Sequence, residues 1–204
     1  MTFTILHGNN LDILPTLPDN SVDSIVTDPP YELGFMGKGW DSSGIAYSVQ
    51  LWTECLRVLK PGGHLLSFGG TRTYHRMVVG IEDAGFEVRD MISWISNKTF
   101  PKSHNLKDEW AGWGTGLKPT VEPIVMARKP LIGTVAHNVL THGTGALNID
   151  GSRIGAEVRT NSPAGGAGLL DRNSFPNASS QTSKEVEGRW PANIILRTHR
   201  RATR

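Results

Sequence analysis

The residues best suited to chemistry stand four in a row, Asp28-Pro29-Pro30-Tyr31, directly after the apolar run SIVT. Each proline fixes φ and carries no N–H, so the turn presents carbonyl oxygens in a rigid cluster beside the Asp28 carboxylate. Such a cluster suits the holding of a planar amine. An amine conjugated to an aromatic ring is a poor nucleophile because its lone pair is delocalised. Acceptors on its two hydrogens, here the Asp28 carboxylate and the Pro29 carbonyl, pull the nitrogen towards tetrahedral geometry and expose that pair. Tyr31 is placed to stack on the ring and hold it flat. The same residues also read as a proline-terminated strand with an aspartate in a turn. Their position at a strand's carboxyl end, where open α/β sheets bind ligands, favours the chemical reading.

Other candidates carry less. Phe35 and Trp40, in the glycine-rich loop GFMGKGWDSSG, could close over a bound ring or merely anchor their loop. Gly8 and Asn9 form a strand-to-loop turn. Lys60-Pro61-Gly62-Gly63 reads as a helix C-terminus, with a basic side chain at the negative dipole end and glycines for the reversal. His104, His137 and His142 show no metal spacing, and no metal is expected. Cys55, the single cysteine, falls within the apolar run LWTECLRVLK and reads as core.

The elements that must position the turn follow from periodicity. TFTILHG reads as an opening strand and LDILPTLPDN as a brief helical turn. SVDSIVTD is a strand without strict alternation, as expected when both faces are covered in a parallel sheet. Val49, Trp52, Leu56 and Leu59 recur at helical spacing, HLLSFGG is a strand, TYHRMVVGIEDAGF is an amphipathic helix, and VRDMISWIS is a further strand. This alternation predicts βαβ units in a doubly wound sheet. Residues 97–118 are loop-like, VEPIVMARK returns to strand, and periodicity fades beyond Leu131. Residues 155–188, rich in Gly, Ser, Asn and Ala, read as a mobile loop, with a last short strand at ANIIL.

At 204 residues and 38% hydrophobic content, one domain with a real core is expected. No run approaches the roughly eighteen apolar residues of a membrane span, and the N-terminus lacks the features of a signal peptide. A cytoplasmic protein is expected. The net charge of +2 does not announce nucleic acid, although RTHRRATR concentrates basic side chains in one tail.

In order along the chain, LHGNNLDIL, TDPPY, FMGKGWD, LRVLKPGGHLLSFGGTRTYHRM, IEDAGFEVRD, LKPTVEPIVMARKPL and HGTGALNIDGSRI resemble one family. It comprises the amino-methyltransferases that use S-adenosylmethionine on DNA adenine N6 or cytosine N4, in particular phage-like members of the permuted group whose catalytic motif comes first. The resemblance covers residues 4–154 and extends to 188–196. It implies a partial Rossmann-like α/β fold, mostly parallel with one antiparallel strand, and a division into a catalytic core at 1–154, a loop or target-recognition region at 155–188, and a strand with a basic tail at 189–204. Asp28, Pro29, Pro30 and Tyr31 would be the amine-holding turn, with Asp28 also close to the donor's methyl group. The acidic first position points to adenine, since serine there is usual for cytosine. Gly8 and Asn9 would lie near the donor's adenosyl portion, where the family usually has Gly-Asp. Phe35 and Trp40 would close over a flipped base. Arg72, His75, Lys98, Lys102, Lys107 and Lys118 are candidates for phosphate contacts, because their segments should lie on or near the rim where duplex DNA would approach. Each reads equally as a solvated surface charge.

One family feature is missing. The donor-binding Phe-x-Gly-x-Gly turn, expected towards the C-terminus in the permuted order, has no match. Gly112-Trp113-Gly114-Thr115-Gly116 follows no strand, and Phe68-Gly69-Gly70 belongs to the segment after LKPGG. The expectation is therefore a truncated or split half, completed by a second polypeptide or a homodimer. The alternatives are an inactive DNA-binding remnant and a cytosine-N4 enzyme.

Overall fold

The computed structural model describes residues 3–34, 39–96, 99–101, 103–161 and 184–197. Strand β1 (Val22–Thr27) pairs in parallel with β2 (Leu59–Phe68), and the helices between and after them supply the core. A short helix α1 (Asn10–Ile13) precedes β1. Helix α2 (Val49–Val58) begins where the Ser48 hydroxyl accepts the Leu51 N–H, and it buries Leu51, Trp52, Cys55 and Val58 on one face. Trp52 is the largest fully buried side chain, and its indole N–H donates to the Ala46 carbonyl at 3.0 Å, so burial leaves no donor unpaired. Helix α3 (Tyr74–Asp83) packs Met77 and Ile81 into the same cluster and ends at Gly85, whose φ of +103° suits glycine.

Strand β3 (Glu87–Ser96) does not neighbour β2. Strand β4 (Val121–Arg128) lies between them, antiparallel to both, and β7 (Ile194–Arg197) pairs in parallel with β3. The order is β1-β2-β4-β3-β7. Four strands run one way and one the other, as expected of an α/β sheet with a single antiparallel strand. The amino end of β4 thus lies at the carboxyl edge of β1 and β2.

Three local expectations are corrected. The opening TFTILHG forms no ladder where described, and Phe3, Ile5 and Leu6 are exposed, because apolar alternation makes a strand only when a neighbour supplies hydrogen bonds. Val26 is 67% exposed, so β1 is covered on one face only; it occupies a sheet edge. Lys60-Pro61-Gly62-Gly63 lies inside β2, after the helix has ended. Between Val22↔Leu59 and Ser24↔His64, β1 advances two residues while β2 advances five, and the bulge absorbs the proline and glycines. Lys60 bonds Asp23 at 2.6 Å instead of a helix end.

Beyond Leu131 a further helix, α4 (Val135–His142), is capped by Thr134 and closed by Gly143 at φ +75°. Its polarity is inverted: Val135, Val139 and Leu140 are exposed, whereas Asn138 is fully buried, so no apolar stripe marks it. The Asn138 amide donates to the Pro61 and Thr144 carbonyls at 2.8 Å and accepts the Ile132 N–H at 3.0 Å. A side chain at Gly62 would strike that amide, with its Cβ 2.5 Å from Nδ2.

Contacts divide the chain into two units, residues 1–146 with 193–204, and residues 147–192. In the second unit β5 (Ile154–Asn161) and β6 (Lys184–Arg189) pair antiparallel, so both ends of the expected mobile loop are strands; residues 162–183 lie outside the described residues. Arg153 bonds Asp150 at 2.8 Å and sits over the Trp190 ring. Within 97–118, expected as loop, Asn105 and Gly114 form a bridge, and exposed Trp110 and Trp113 meet edge to face at 5.5 Å.

Candidate active site

The chain leaves β1 at Thr27, paired with Ser67, and turns at once through Asp28-Pro29-Pro30-Tyr31 beyond the carboxyl edge of the sheet. Two residues after β2 position this turn. The Thr73 hydroxyl donates to the Tyr31 carbonyl at 2.6 Å. Gly70 packs against the Tyr31 side chain so closely that an added Cβ would lie 3.2 Å from Cδ2. The segment after β2 therefore acts as a support for Tyr31.

Glu32 follows in the left-handed region at φ +54°. Its carboxylate accepts the Gly44 N–H at 2.8 Å, the Ser43 hydroxyl at 3.3 Å and the Ala46 N–H at 3.5 Å. Charge-assisted bonds to three donors hold the far end of the loop against its start. A backbone bond from Gly34 N–H to the Asp41 carbonyl narrows the loop further. Asp41, 3% exposed, and Trp40 are thereby brought to the turn.

Together these residues form an open cleft of about 540 Å³, lined by Asp28, Pro29, Pro30, Tyr31, Leu33, Trp40, Asp41 and Glu122. Its volume falls within the range of small-molecule sites. Glu122 stands near the start of β4, opposite Trp94 in register, and reaches the cavity because β4 runs against its neighbours. Tyr31, Asp28 and Glu122 line the same cavity. Burial, followed by the charges of Asp28 and Glu122, raises the Tyr31 pKa well above the ordinary phenol value. Tyr31 is thus a neutral donor throughout the neutral pH range.

Among the described residues three carboxylates line the cavity, and no lysine or arginine does. That charge repels phosphate from the interior and suits amine hydrogens or a cation. The two aromatic side chains, Tyr31 and Trp40, supply flat apolar surface beside the acceptors. Asp28 and the Pro29 and Pro30 carbonyls come with the rigidity that the prolines impose.

Of the residues singled out from the sequence, Asp28, Pro29, Pro30, Tyr31 and Trp40 come together here. Gly8 and Asn9 do not line the cavity; the Asn9 side chain accepts the Leu11 N–H at 3.1 Å and caps α1. Phe35, Lys98 and Lys102 lie outside the described residues. Arg72, His75, Lys107 and Lys118 are exposed, and Arg72 immediately precedes the Thr73 that holds Tyr31. Asp41, Glu122, Gly70 and Thr73 escaped the sequence reading. The only trace of Glu122 was a carboxylate interrupting the apolar run VEPIVMAR. Among the described residues no group of His, Cys, Asp or Glu is arranged to hold a metal, and no helix is long and apolar enough to cross a membrane.

The family model described as DNA methylase matches residues 22–203. Among curated proteins, the type II methyltransferase M.HindIII of Haemophilus influenzae is 34% identical over 116 residues, which is 49% of this chain and 38% of that protein. The putative methylase YubD of Escherichia coli is 30% identical over 112 residues, 53% of this chain and 47% of that protein. The chain therefore spans less than half the length of these relatives. Among solved structures, a putative DNA modification methylase of Thermus thermophilus aligns with a TM-score of 0.44 at 24% identity, covering 62% of this chain and 54% of that one. PvuII DNA methyltransferase, described as cytosine-N4-specific, aligns with a TM-score of 0.45 at 17% identity, covering 69% and 54%.

Proposed function

The chain belongs to the N6/N4 DNA methylase family, and from that premise we propose that it holds the target base of a DNA amino-methyltransferase, with adenine N6 as the accepting amine. One observation carries the reading: the rigid Asp28–Tyr31 turn opens on an acid-lined, aromatic cavity of about 540 Å³. A base in a duplex is beyond reach, so the target nucleotide is extruded into the cavity. Its ring lies against Tyr31, with Trp40 at the mouth. The amine donates to the Asp28 carboxylate and to the Pro29 carbonyl, which draws its lone pair out of conjugation. Catalysis is then mainly orientation, since the chain fixes where the nitrogen stands and which way its pair points. The acidic first position of the turn favours adenine over cytosine. Arg72 and Lys118, with Lys98 and Lys102, would meet phosphates outside the acidic interior.

S-adenosylmethionine, when bound, supplies the methyl group as a sulfonium. The acidic lining fits the cationic part of that donor. Among the described residues, the cavity lining contains no glycine-rich cradle for its adenosyl and methionyl portions. A second polypeptide, or a second copy of the chain, would complete the donor site and cover the exposed apolar groups at the β1 edge, Val26 among them.

Expression in a host without DNA methylation, followed by nucleoside mass spectrometry, tests the proposal. The expected product is N6-methyladenine, and Asp28→Ala removes it while DNA affinity stays nearly intact. N4-methylcytosine would reassign the base. DNA binding without methyl transfer, with or without a co-expressed donor-binding partner, would favour a silent remnant. Methylation retained by Asp28→Ala sinks the proposed role of the turn.

A further inference from the structure

Strand β3 ends at Ser96 and β4 begins at Val121, so the segment between them leaves the sheet at the edge where β1 ends and the cleft opens. Ser96 N–H donates to the Thr120 carbonyl at 2.9 Å, and the Thr99 hydroxyl donates to the Pro119 carbonyl, which closes the base of this loop. Further out the loop braces itself. The Ser103 hydroxyl accepts the Thr115 and Gly116 N–H groups at 2.9 and 3.3 Å, the Thr115 hydroxyl accepts the His104 N–H at 2.9 Å, and Leu106 N–H donates to the Trp113 carbonyl at 2.9 Å. What this braced loop displays is apolar: Trp110 is 51% and Trp113 63% exposed, and their rings meet edge to face at 5.5 Å. Such rings, held in place yet left open to water, mark a contact surface. Residues 103–118 carry Lys107 and Lys118 against Asp108 and Glu109, so attraction to phosphate does not account for them.

The geometry points to residues 103–116 as a DNA-contacting loop in which Trp110 and Trp113 stack on bases laid open when the target nucleotide leaves the duplex. Every base has a π-face, so this contact requires no particular sequence. The loop is braced beforehand, and little ordering remains to be done on binding. DNA fits this edge better than a second protein, because the strand that delivers the base must approach here and a docked protein would obstruct it. The inference rests on extrusion of a base into the Asp28 cleft.

Fluorescence anisotropy of the full chain compares a fully paired duplex with the same duplex carrying one adenine opposite an abasic site, whose unpaired base is more easily unstacked. The parent is expected to prefer the second. Trp110→Ala and Trp113→Ala each weaken that complex by about five- to a hundredfold, the range for one base on one ring, while Trp110→Phe and Trp113→Phe lose less. The fully paired duplex, gripped through its phosphates, changes little. The slope of log affinity against log salt stays parental, because no counterion release is lost with an uncharged ring. A parent without preference, or equal loss on both duplexes, overturns the inference. So does unchanged DNA affinity accompanied by lost self-association in sedimentation, which assigns the rings to a protein interface. A parent that binds neither duplex removes the DNA-modifying reading as a whole, a separate failure. Should the alanine variants fold poorly, fluorine NMR of the fluorotryptophan-labelled parent provides a second test, since the chain has six tryptophans and the two phenylalanine variants assign the signals. The duplex with the unpaired adenine must shift both resonances; unmoved signals in the bound state overturn the inference.

Discussion

Gly70→Ala tests whether the segment after β2 sets the position of Tyr31. The added Cβ would lie 3.2 Å from Tyr31 Cδ2, 3.3 Å from Tyr31 Cβ and 3.3 Å from Thr73 Oγ1. Comfortable carbon contacts are about 3.5–4.0 Å, so the tyrosine must retreat by roughly 0.3 Å or more. Because Cβ is one of the pressed atoms, side-chain rotation alone does not relieve the contact. Gly70 is not in the left-handed region, and alanine can adopt its backbone. Overpacking costs about 1–3 kcal/mol, and stiffening the unfolded chain returns about 0.4–1 kcal/mol. The net destabilisation is then roughly 0–2.6 kcal/mol, a Tm loss of at most about 10 °C for a chain of this size. Function should suffer more than stability. If a 1 Å error in placement costs about a hundredfold, a third of that costs on the order of fivefold in methyl transfer. Thermal unfolding followed by circular dichroism gives the first quantity, and initial rates with a radiolabelled donor give the second. A variant that folds as well as the parent and transfers methyl groups at the parental rate would refute the idea that Gly70 sets Tyr31.

Two further outcomes are expected. Asn138→Ala removes the partner of the Ile132 N–H and of the Thr144 carbonyl, while the Pro61 carbonyl keeps the Thr144 hydroxyl, and should lower stability by about 2–4 kcal/mol in urea unfolding; a change below about 1 kcal/mol would mean that water replaces the amide. Burial, and then the Glu54 charge, pushes the Cys55 thiol up to about 11. The folded chain holds this proton more tightly than the unfolded one, so the associated stability is complete below the ordinary thiol range and drains away as pH rises through about 11. Urea midpoints measured between pH 8 and pH 11 should fall more steeply for the parent than for Cys55→Ala, and parallel curves would contradict the assignment.

The sheet and the heart of the site were legible because they obey local rules. SIVT followed by Asp28-Pro29-Pro30-Tyr31 announces a strand that stops, and the prolines stop it wherever the strand lies. The helical spacing of Trp52 and its neighbours marks α2, and the apolar runs mark β2, β3 and β4. The exceptions failed for the same reason that these succeeded. Helix α4 escaped because its buried residue is polar and its valines are exposed, and TFTILHG misled because a strand pattern does not supply a neighbouring strand.

By itself, then, the sequence determined the chemistry of the turn, its rigidity and the elements that flank it, all of which depend on residues a few positions apart. Tertiary structure alone decided what faces that turn. Inserting β4 against the direction of its neighbours places Glu122 at the edge where β1 ends, and the fold of the loop after Tyr31 buries Asp41 beside it. No local periodicity encodes either meeting, because the partners are brought together by strand order and loop closure.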